Sequence, residues 1–358
     1  MTIAARQRDL ETVRAGLARW LRRRRGATDL RVAGLTRPQG SGLSSDTFFV
    51  DVEWTEGGGA NHETLVARLP PEGGGLFPRY DLVAQARVQR VAGGAGIPVA
   101  AAVALEEDES WVGAPFLMLW RVPGRVLTSS PSWLVEGWLV DSRPEEQSRL
   151  HSGFVDVLAT IHALDWQRLE CGFLARGSAP GLRGELEWWS RYLDWASDGQ
   201  PPDGLVDALA WCRDNMPAPE PPASLLWGDV QMVNAVFDDA LQTVAVLDWE
   251  MASIGPAEVD IGWFLGLHTL QVETAGADLP GFPDRGTMIA AYERRLGREL
   301  LPLRWFEAFA LVRSASIKLR AARLLGDAGA EAVPALKGDR TTARLRRLLE
   351  EDRGQSIP

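Results

Sequence analysis

Between residues 225 and 250 the chain reads Leu-Leu-Trp-Gly-Asp-Val-Gln-Met-Val-Asn and, after a short gap, Val-Ala-Val-Leu-Asp-Trp-Glu. This stretch constrains the fold more than any other. It fixes Asp229, Asn234 five residues later and Asp248 fourteen residues after that, the last closing an apolar, β-branched run. One carboxylate can orient an attacking hydroxyl and take up its proton. An amide oxygen can hold Mg²⁺, and a second carboxylate at a strand end can bridge the metal to a nucleotide. An Asp-x4-Asn pair alone means little in a chain with 48 acidic residues. The same pair followed by Asp-Trp-Glu at the end of an apolar strand is a far rarer combination.

Upstream of this stretch the pattern is strand-rich. Leu10, Val13, Leu17, Trp20 and Leu21 recur at helical spacing, so the chain opens with an amphipathic helix. The arginines at 22–25 read as its solvated end, where cations also meet the negative pole of the helix dipole. Phe48, Val50, Val52 and Trp54 alternate with polar residues, and Leu65, Ala67 and Leu69 alternate again after Gly57-Gly58-Gly59. Residues 47–54 and 63–69 therefore form an antiparallel hairpin, with a weaker strand near 30–36 before it. The turn Gly40-Ser41-Gly42-Leu43-Ser44-Ser45 joins that strand to the hairpin and could lay backbone N–H groups over phosphates, though an ordinary turn uses the same residues. A helix over 82–91, an extended run over 99–105 and a buried strand at 115–119 complete this part.

Downstream the period changes to helical. Leu150, Phe154, Val157, Leu158, Ile161 and Leu164 form one stripe, Trp188, Trp189, Tyr192 and Trp195 crowd another helix, and helical patterns return near 257–270, 287–296 and 303–325. The Pro/Ala-rich residues 217–222 lead into the Asp229 segment as a linker.

The combined motif resembles the aminoglycoside phosphotransferase family, small-molecule kinases that share the protein-kinase fold. The family signature is His-Gly-Asp-x4-Asn followed by a strand ending in Asp-Trp-Glu; here Trp227 stands in place of the His, as in one bacterial branch. The resemblance implies a bilobal α+β fold, with an antiparallel sheet and leading helix in an N-terminal lobe (1–120) and a mainly helical catalytic lobe (121–358). It implies Asp229 as catalytic base, Asn234 and Asp248 as Mg²⁺ ligands, and Asp260 as a brace for the catalytic loop. His162 matches a family position whose role is structural. Gly40, Ser41, Gly42, Ser44 and Ser45 match the nucleotide-covering loop, and backbone groups of Trp120 and Val122 match the hinge that pairs with adenine.

Two positions depart from the kinase pattern. Arg68 replaces the strand lysine that grips the phosphates, keeping the charge as a planar fork. The glutamate expected to pair with it aligns with Gln85, a neutral amide that could accept a hydrogen bond from Arg68; Asp81, one turn earlier, is the alternative partner.

The formal net charge of −10 argues against a nucleic-acid partner and mildly favours cationic ligands. Glu258, Glu273, Asp278 and Asp284 could line a site for a cationic acceptor or simply face solvent. Cys171 and Cys212 are too few and too widely spaced for a metal or redox pattern and read as reduced structural cysteines. The sequence contains no stretch apolar and long enough to span a bilayer and no apolar signal core, which leads to the expectation of a cytoplasmic protein without a membrane partner, monomeric or homodimeric.

The expected activity is an ATP- and Mg²⁺-dependent O-phosphotransferase, with GTP as an alternative donor. Its acceptor would be a hydroxyl of a small molecule: antibiotic-like, an amino alcohol, a sugar or a hydroxyacyl compound. Rival readings are phosphorylation of peptide Ser or Thr in a natural-product pathway, a catalytically weak nucleotide-binding scaffold, motivated by Arg68 and Gln85, and a hydrolytic or non-kinase transferase use of the same cleft.

Overall fold

The computed structural model describes residues 8–38, 44–177, 179–332 and 340–355. The first helix, α1 (Leu10–Arg25), starts where the Asp9 side chain accepts from the Thr12 amide and stops at Gly26 in the left-handed region, φ 67°. Its terminal arginines are largely exposed, as expected of a solvated end, yet two of them also make contacts beyond the helix. Arg22 Nε donates to the Leu30 carbonyl at 2.6 Å, and Arg25 pairs with Glu63 and lies over the Trp54 ring. They strap the helix to the sheet.

That sheet comprises β1 (Arg31–Thr36), β2 (Asp46–Glu56), β3 (Gly59–Leu69), β4 (Ala102–Glu106) and β5 (Phe116–Trp120), ordered β1-β2-β3-β5-β4. Every pairing is antiparallel. The expected hairpin is β2–β3, turned by Gly57 and Gly58 at φ 60° and 82°. A two-residue turn of this hand needs positive φ at both centres, which glycine supplies without steric cost. The period of two then sorts the strands: Phe48, Val50, Val52, Leu65, Ala67 and Leu69 are buried in one cluster with Val13, Leu17 and Leu21 of α1. Arg68, alternating with Ala67 and Leu69, falls on the opposite face.

Helix α2 (Leu82–Gly94) follows β3 and is capped by Asp81, which accepts from the Ala84 amide at 2.9 Å. Its Val88 and Ala92 belong to the large core of the second lobe. Two further backbone ties flank the passage between the lobes, the first across it and the second just inside the second lobe. The Val246 amide donates to the Pro98 carbonyl at 2.8 Å, and Arg125 exchanges both backbone bonds with Phe237, at 2.7 and 2.8 Å. Beside this last pair Gly124 sits at φ 146°, where a Cβ would lie 2.6 Å from the Phe237 oxygen.

The second lobe contains α3 (Pro144–His162), α4 (Leu182–Ala196), α5 (Asp203–Asp214), α6 (Ala257–Ala275), α7 (Arg285–Leu296), α8 (Arg304–Ala332) and α9 (Arg340–Gln355). Helix α8 is kinked at Gly326, φ 67° and ψ 174°. Two short antiparallel pairs, β6 (Ala223–Leu226) with β9 (Ser253–Pro256) and β7 (Ala235–Phe237) with β8 (Thr243–Val246), carry the loops that hold Asp229 and Asp248. Helices α5 and α9 have no counterpart in the sequence reading, although α5 buries Leu205, Ala208, Leu209 and Cys212 at helical spacing. Cys171 and Cys212 are buried and free, as expected. Among the described residues no helix is long and apolar enough to cross a membrane.

Candidate active site

The loop that leaves β6 is anchored before it reaches Asp229. The backbone amides of Trp227 and Gly228 donate to the two oxygens of Asp260, at 2.8 and 3.1 Å. Asp260 is fully buried in the first turn of α6, and its Oδ2 also lies 3.0 Å from His162 Nε2. His162 Nδ1 in turn meets the Tyr292 hydroxyl, so one imidazole tautomer satisfies both contacts. These bonds give Asp260 and His162 the bracing roles expected of them. Gly228 has φ 92°, and a Cβ there would fall 2.1 Å from the Met251 carbonyl oxygen, so only glycine lets the two loops approach.

Trp227 does more than fill the space of a histidine. Its indole N–H donates to the Leu247 carbonyl at 2.7 Å, tying the Asp229 loop to the residue that precedes Asp248. Beneath it, buried Arg313 donates to the Gly228 carbonyl at 3.1 Å and stacks on Trp263, 4.6 Å from the ring centroid. Burial lowers the Arg313 pKa to about 10. Arg176 binds the Met251 carbonyl at 2.7 Å. The sequence reading missed both arginines and Trp263. Only Trp263 carried a local signal, lying three residues after Asp260 on the same helix face.

Asp229 is held on both oxygens. Oδ1 accepts from Gln231 Nε2 at 2.7 Å and from Trp263 Nε1 at 3.0 Å, while Oδ2 accepts from Asn234 Nδ2 at 2.8 Å. Burial and the nearby charge of Asp248 raise its pKa above the usual carboxylate value, against the pull of those three donors. Asn234 also donates to the Asp229 carbonyl at 3.1 Å. Both of these bonds use the amide nitrogen, which leaves the amide oxygen as the group suited to a cation. Asp248 closes β8 in the left-handed region, φ 59° and ψ 65°, a conformation that costs a non-glycine residue on the order of 1 kcal/mol or more. Two residues on, Glu250 is pushed up to about 8 by burial and by Asp248, with Arg68 and Ser44 acting the other way.

Arg68 reaches from β3 across the cleft into this group. Its Nη2 lies 2.7 Å from Asp248 Oδ1, 3.6 Å from Glu250 Oε2 and 3.4 Å from the Ser45 hydroxyl. Neither expected partner is used. Asp81 caps α2 and pairs with Arg79, and the side-chain oxygen of buried Gln85 has no hydrogen-bond partner. The reason is reach: a guanidinium extends to the second lobe, where carboxylates offer more than a neutral amide does. Of the expected phosphate-covering turn, Gly40, Ser41 and Gly42 lie outside the described residues. Ser44 lines the cavity described below, together with Asp229 and Asp248. Trp120 is 43% exposed at the end of β5, and Val122 packs against a small apolar cluster that joins Leu117 and Leu119 of the sheet to Leu247 of the second lobe.

Among the described residues no group of three or more His, Cys, Asp or Glu side chains is arranged to hold a metal. The donor set nonetheless suits Mg²⁺, which commonly takes one or two protein oxygens and completes its shell with nucleotide phosphates and water. The Asp248 carboxylate and the Asn234 amide oxygen are donors of that kind.

A cavity of about 610 Å³ opens from Asp229 and Asp248 into the second lobe, walled by Trp263 and Leu267 of α6, Ile317 of α8, and Phe77 and Trp133 from two loops. The four acidic residues considered for a cationic site lie elsewhere. Glu258 pairs with Arg298, Glu273 with Arg344 and Arg347, and Asp278 with His268, while Asp284 caps α7.

Comparison with known proteins gives the family and the fold. A sequence model of the phosphotransferase enzyme family matches residues 36–306. The acyl-CoA dehydrogenase family member 11 of Gallus gallus is 27% identical over 229 residues, which cover 63% of this chain and 27% of that protein. The chain thus aligns with little more than a quarter of that relative's length. Among solved structures, a protein from Ralstonia eutropha named as a candidate aminoglycoside phosphotransferase superposes with a TM-score of 0.66 at 24% identity, covering 96% of both chains. A thermostable mutant of aminoglycoside phosphotransferase APH(4)-Ia, in complex with ADP and hygromycin B, superposes with a TM-score of 0.57 at 13% identity, covering 94% of this chain and 98% of that one. At these identities the superpositions establish the bilobal kinase-like fold.

Proposed function

The chain belongs to the phosphotransferase enzyme family, and on that premise we propose that it transfers the γ-phosphoryl group of ATP, with Mg²⁺, to a hydroxyl of a small molecule. One observation carries this reading: Asp229, bonded to Asn234, and Asp248 line the same cavity on loops that Asp260, Trp227 and Arg313 hold in place. Phosphoryl transfer asks little covalent chemistry of a protein and much positioning, which this framework suits.

In this reading Asp229 accepts a hydrogen bond from the acceptor hydroxyl and takes up its proton as the oxygen bonds to the γ-phosphorus. The bond from that phosphorus to the β-phosphate oxygen breaks, and ADP leaves. Gln231, Trp263 and Asn234 keep the Asp229 carboxylate aimed. Bound Mg²⁺ would neutralise developing phosphate charge, held by Asp248 and the Asn234 oxygen. Arg68 would face the phosphates with the turn at Gly40, Ser41, Gly42, Ser44 and Ser45, Gln85 would lie behind them, and backbone groups of Trp120 and Val122 would take the adenine edge. The lobes would divide after residue 120. A mostly apolar wall of Trp133, Trp263, Leu267 and Ile317 favours an acceptor with an apolar face over a polyamine, because the carboxylates of the described lining are Asp229, Asp248 and Glu250.

The test is twofold. Millimolar ATP or GTP with Mg²⁺ should raise the thermal unfolding temperature, as a ligand of the folded state must. A screen of hydroxyl compounds should then yield ADP and a product heavier by one phosphoryl group. No thermal shift with either nucleotide would refute the reading. A phosphorylated peptide would replace the acceptor class and leave the reaction standing.

A further inference from the structure

The cation set against Asp248 is the chain's own. Arg68 Nη2 makes a 2.7 Å ion pair with Asp248 Oδ1, the oxygen-bearing group assigned above to the metal, and lies 3.6 Å from Glu250. The pair joins residues 180 apart in sequence and is largely shielded, with the Arg68 side chain 9% exposed and that of Asp248 24%. Neither α2 candidate draws the guanidinium away: Asp81 is spent on its cap and on Arg79, and the Gln85 oxygen is buried without a partner. Arg68 therefore faces two carboxylates of the second lobe, Asp248 and Glu250, and neither of its expected partners on the first.

We propose that Arg68 is a place-holding cation that couples metal and nucleotide binding: it holds Asp248 until a nucleotide offers its phosphates, and its transfer to them releases Asp248 to the metal. This rests on the nucleotide reading above. The physical basis is competition for one carboxylate. A guanidinium and a divalent cation repel each other across a single Asp oxygen, so metal alone binds against Arg68. Phosphate oxygens give the guanidinium an equally good, bidentate anion and remove that opposition. Nucleotide alone meets the opposite obstacle, since it must break the Arg68–Asp248 pair and leave a buried carboxylate without its partner. Bound together, each ligand supplies what the other displaces. Binding couplings of this kind are reciprocal by thermodynamic necessity.

Mn²⁺ is a usable probe because its free fraction is read directly by electron paramagnetic resonance. In the full-length wild type, ADP should tighten Mn²⁺ binding by a factor on the order of 5–150, the usual span for coupled sites. Arg68→Met keeps the aliphatic stem and removes the charge, so Mn²⁺ without nucleotide should bind roughly five- to tenfold tighter than in wild type, and the enhancement by ADP should shrink by a similar factor. Arg68→Lys, a compact charge on a shorter reach, should fall between the two and serves if the Met variant unfolds. Mn²⁺ binding no tighter in both variants than in wild type, or an unchanged enhancement by ADP, would overturn the proposal. A wild type that binds Mn²⁺ but no nucleotide would instead remove the reading beneath it. Calorimetry with ADP in the absence of divalent metal distinguishes these cases by showing whether nucleotide binds at all.

Discussion

Asp229 is held by three donors from its own lobe, whereas Arg68, on the facing wall, crosses the cleft to find its partners. The contrast extends outward. Behind Asp229, the Asp260 carboxylate collects two backbone amides and His162, and Trp227 and Arg313 each bind a loop carbonyl. On the first lobe, Gln85 of α2 keeps a buried oxygen with no partner. The wall assigned to the chemistry is over-determined and can hold strained geometry such as the left-handed Asp248. On the wall assigned to the nucleotide the β3 backbone is fixed by the sheet, but the Arg68 charge finds its ion-pair partners on the opposite side. Arg68 and Gln85 both depart there from the kinase pattern. A site built this way has its reacting groups preset, while its grip on the donor depends on what occupies the cleft.

The contrast can be broken by substitution. The largest effect should come from Asp229→Asn, which keeps shape and hydrogen-bonding size but removes basicity. Turnover should fall by roughly 10²–10⁴-fold, the scale of general acid–base assistance. Near-normal turnover in steady-state assays would mean that the preset wall is not the chemical one. Next, Asp260→Ala should cost about 3–5 kcal/mol of stability in chemical denaturation, because it strands two backbone amides and His162 in the core. A loss below about 1 kcal/mol would show that the loop does not depend on its brace.

A subtler effect concerns pH. Asp229 must be ionised to act as base, and its pKa is raised by burial and by Asp248 but lowered by its bond from Gln231. The acid limb of kcat/KM should therefore lie above the usual carboxylate range, with activity lost as pH falls through it. Gln231→Ala should move that limb further up. A downward move would reverse the assigned role of Gln231. The smallest effect belongs to the opposite wall: Gln85→Leu removes a buried oxygen that has no partner, so stability should change by less than about 1 kcal/mol or improve. A loss as large as that of Asp260→Ala would erase the difference between the walls.

Much of this was legible in the sequence, for identifiable reasons. The β2–β3 hairpin follows from period-two alternation around consecutive glycines, and the Asp229, Asn234 and Asp248 spacing places three groups on two adjoining loops. What stayed hidden depends on contacts between distant segments. Nothing near Arg68 in sequence indicates a partner 180 residues away, and nothing near residues 22–25 indicates that a helix end is bound to Leu30 and Glu63. Arg313 sits in an apolar run whose helical character was plain, yet its approach to the Gly228 carbonyl is set by how α8 packs beneath the loop. Helix α5 was readable from its own apolar spacing and was passed over.

The most direct test of the central assignment is calorimetric binding of ATP, with and without Mg²⁺, to the wild type, Asp229→Asn and Asp248→Asn. If Asp229 faces the acceptor and Asp248 the metal, the wild type and Asp229→Asn will show the same nucleotide affinity and the same tightening by Mg²⁺, while Asp248→Asn will lose that tightening. Equal Mg²⁺ dependence in all three proteins, or its loss in Asp229→Asn alone, would contradict the roles assigned to the two aspartates.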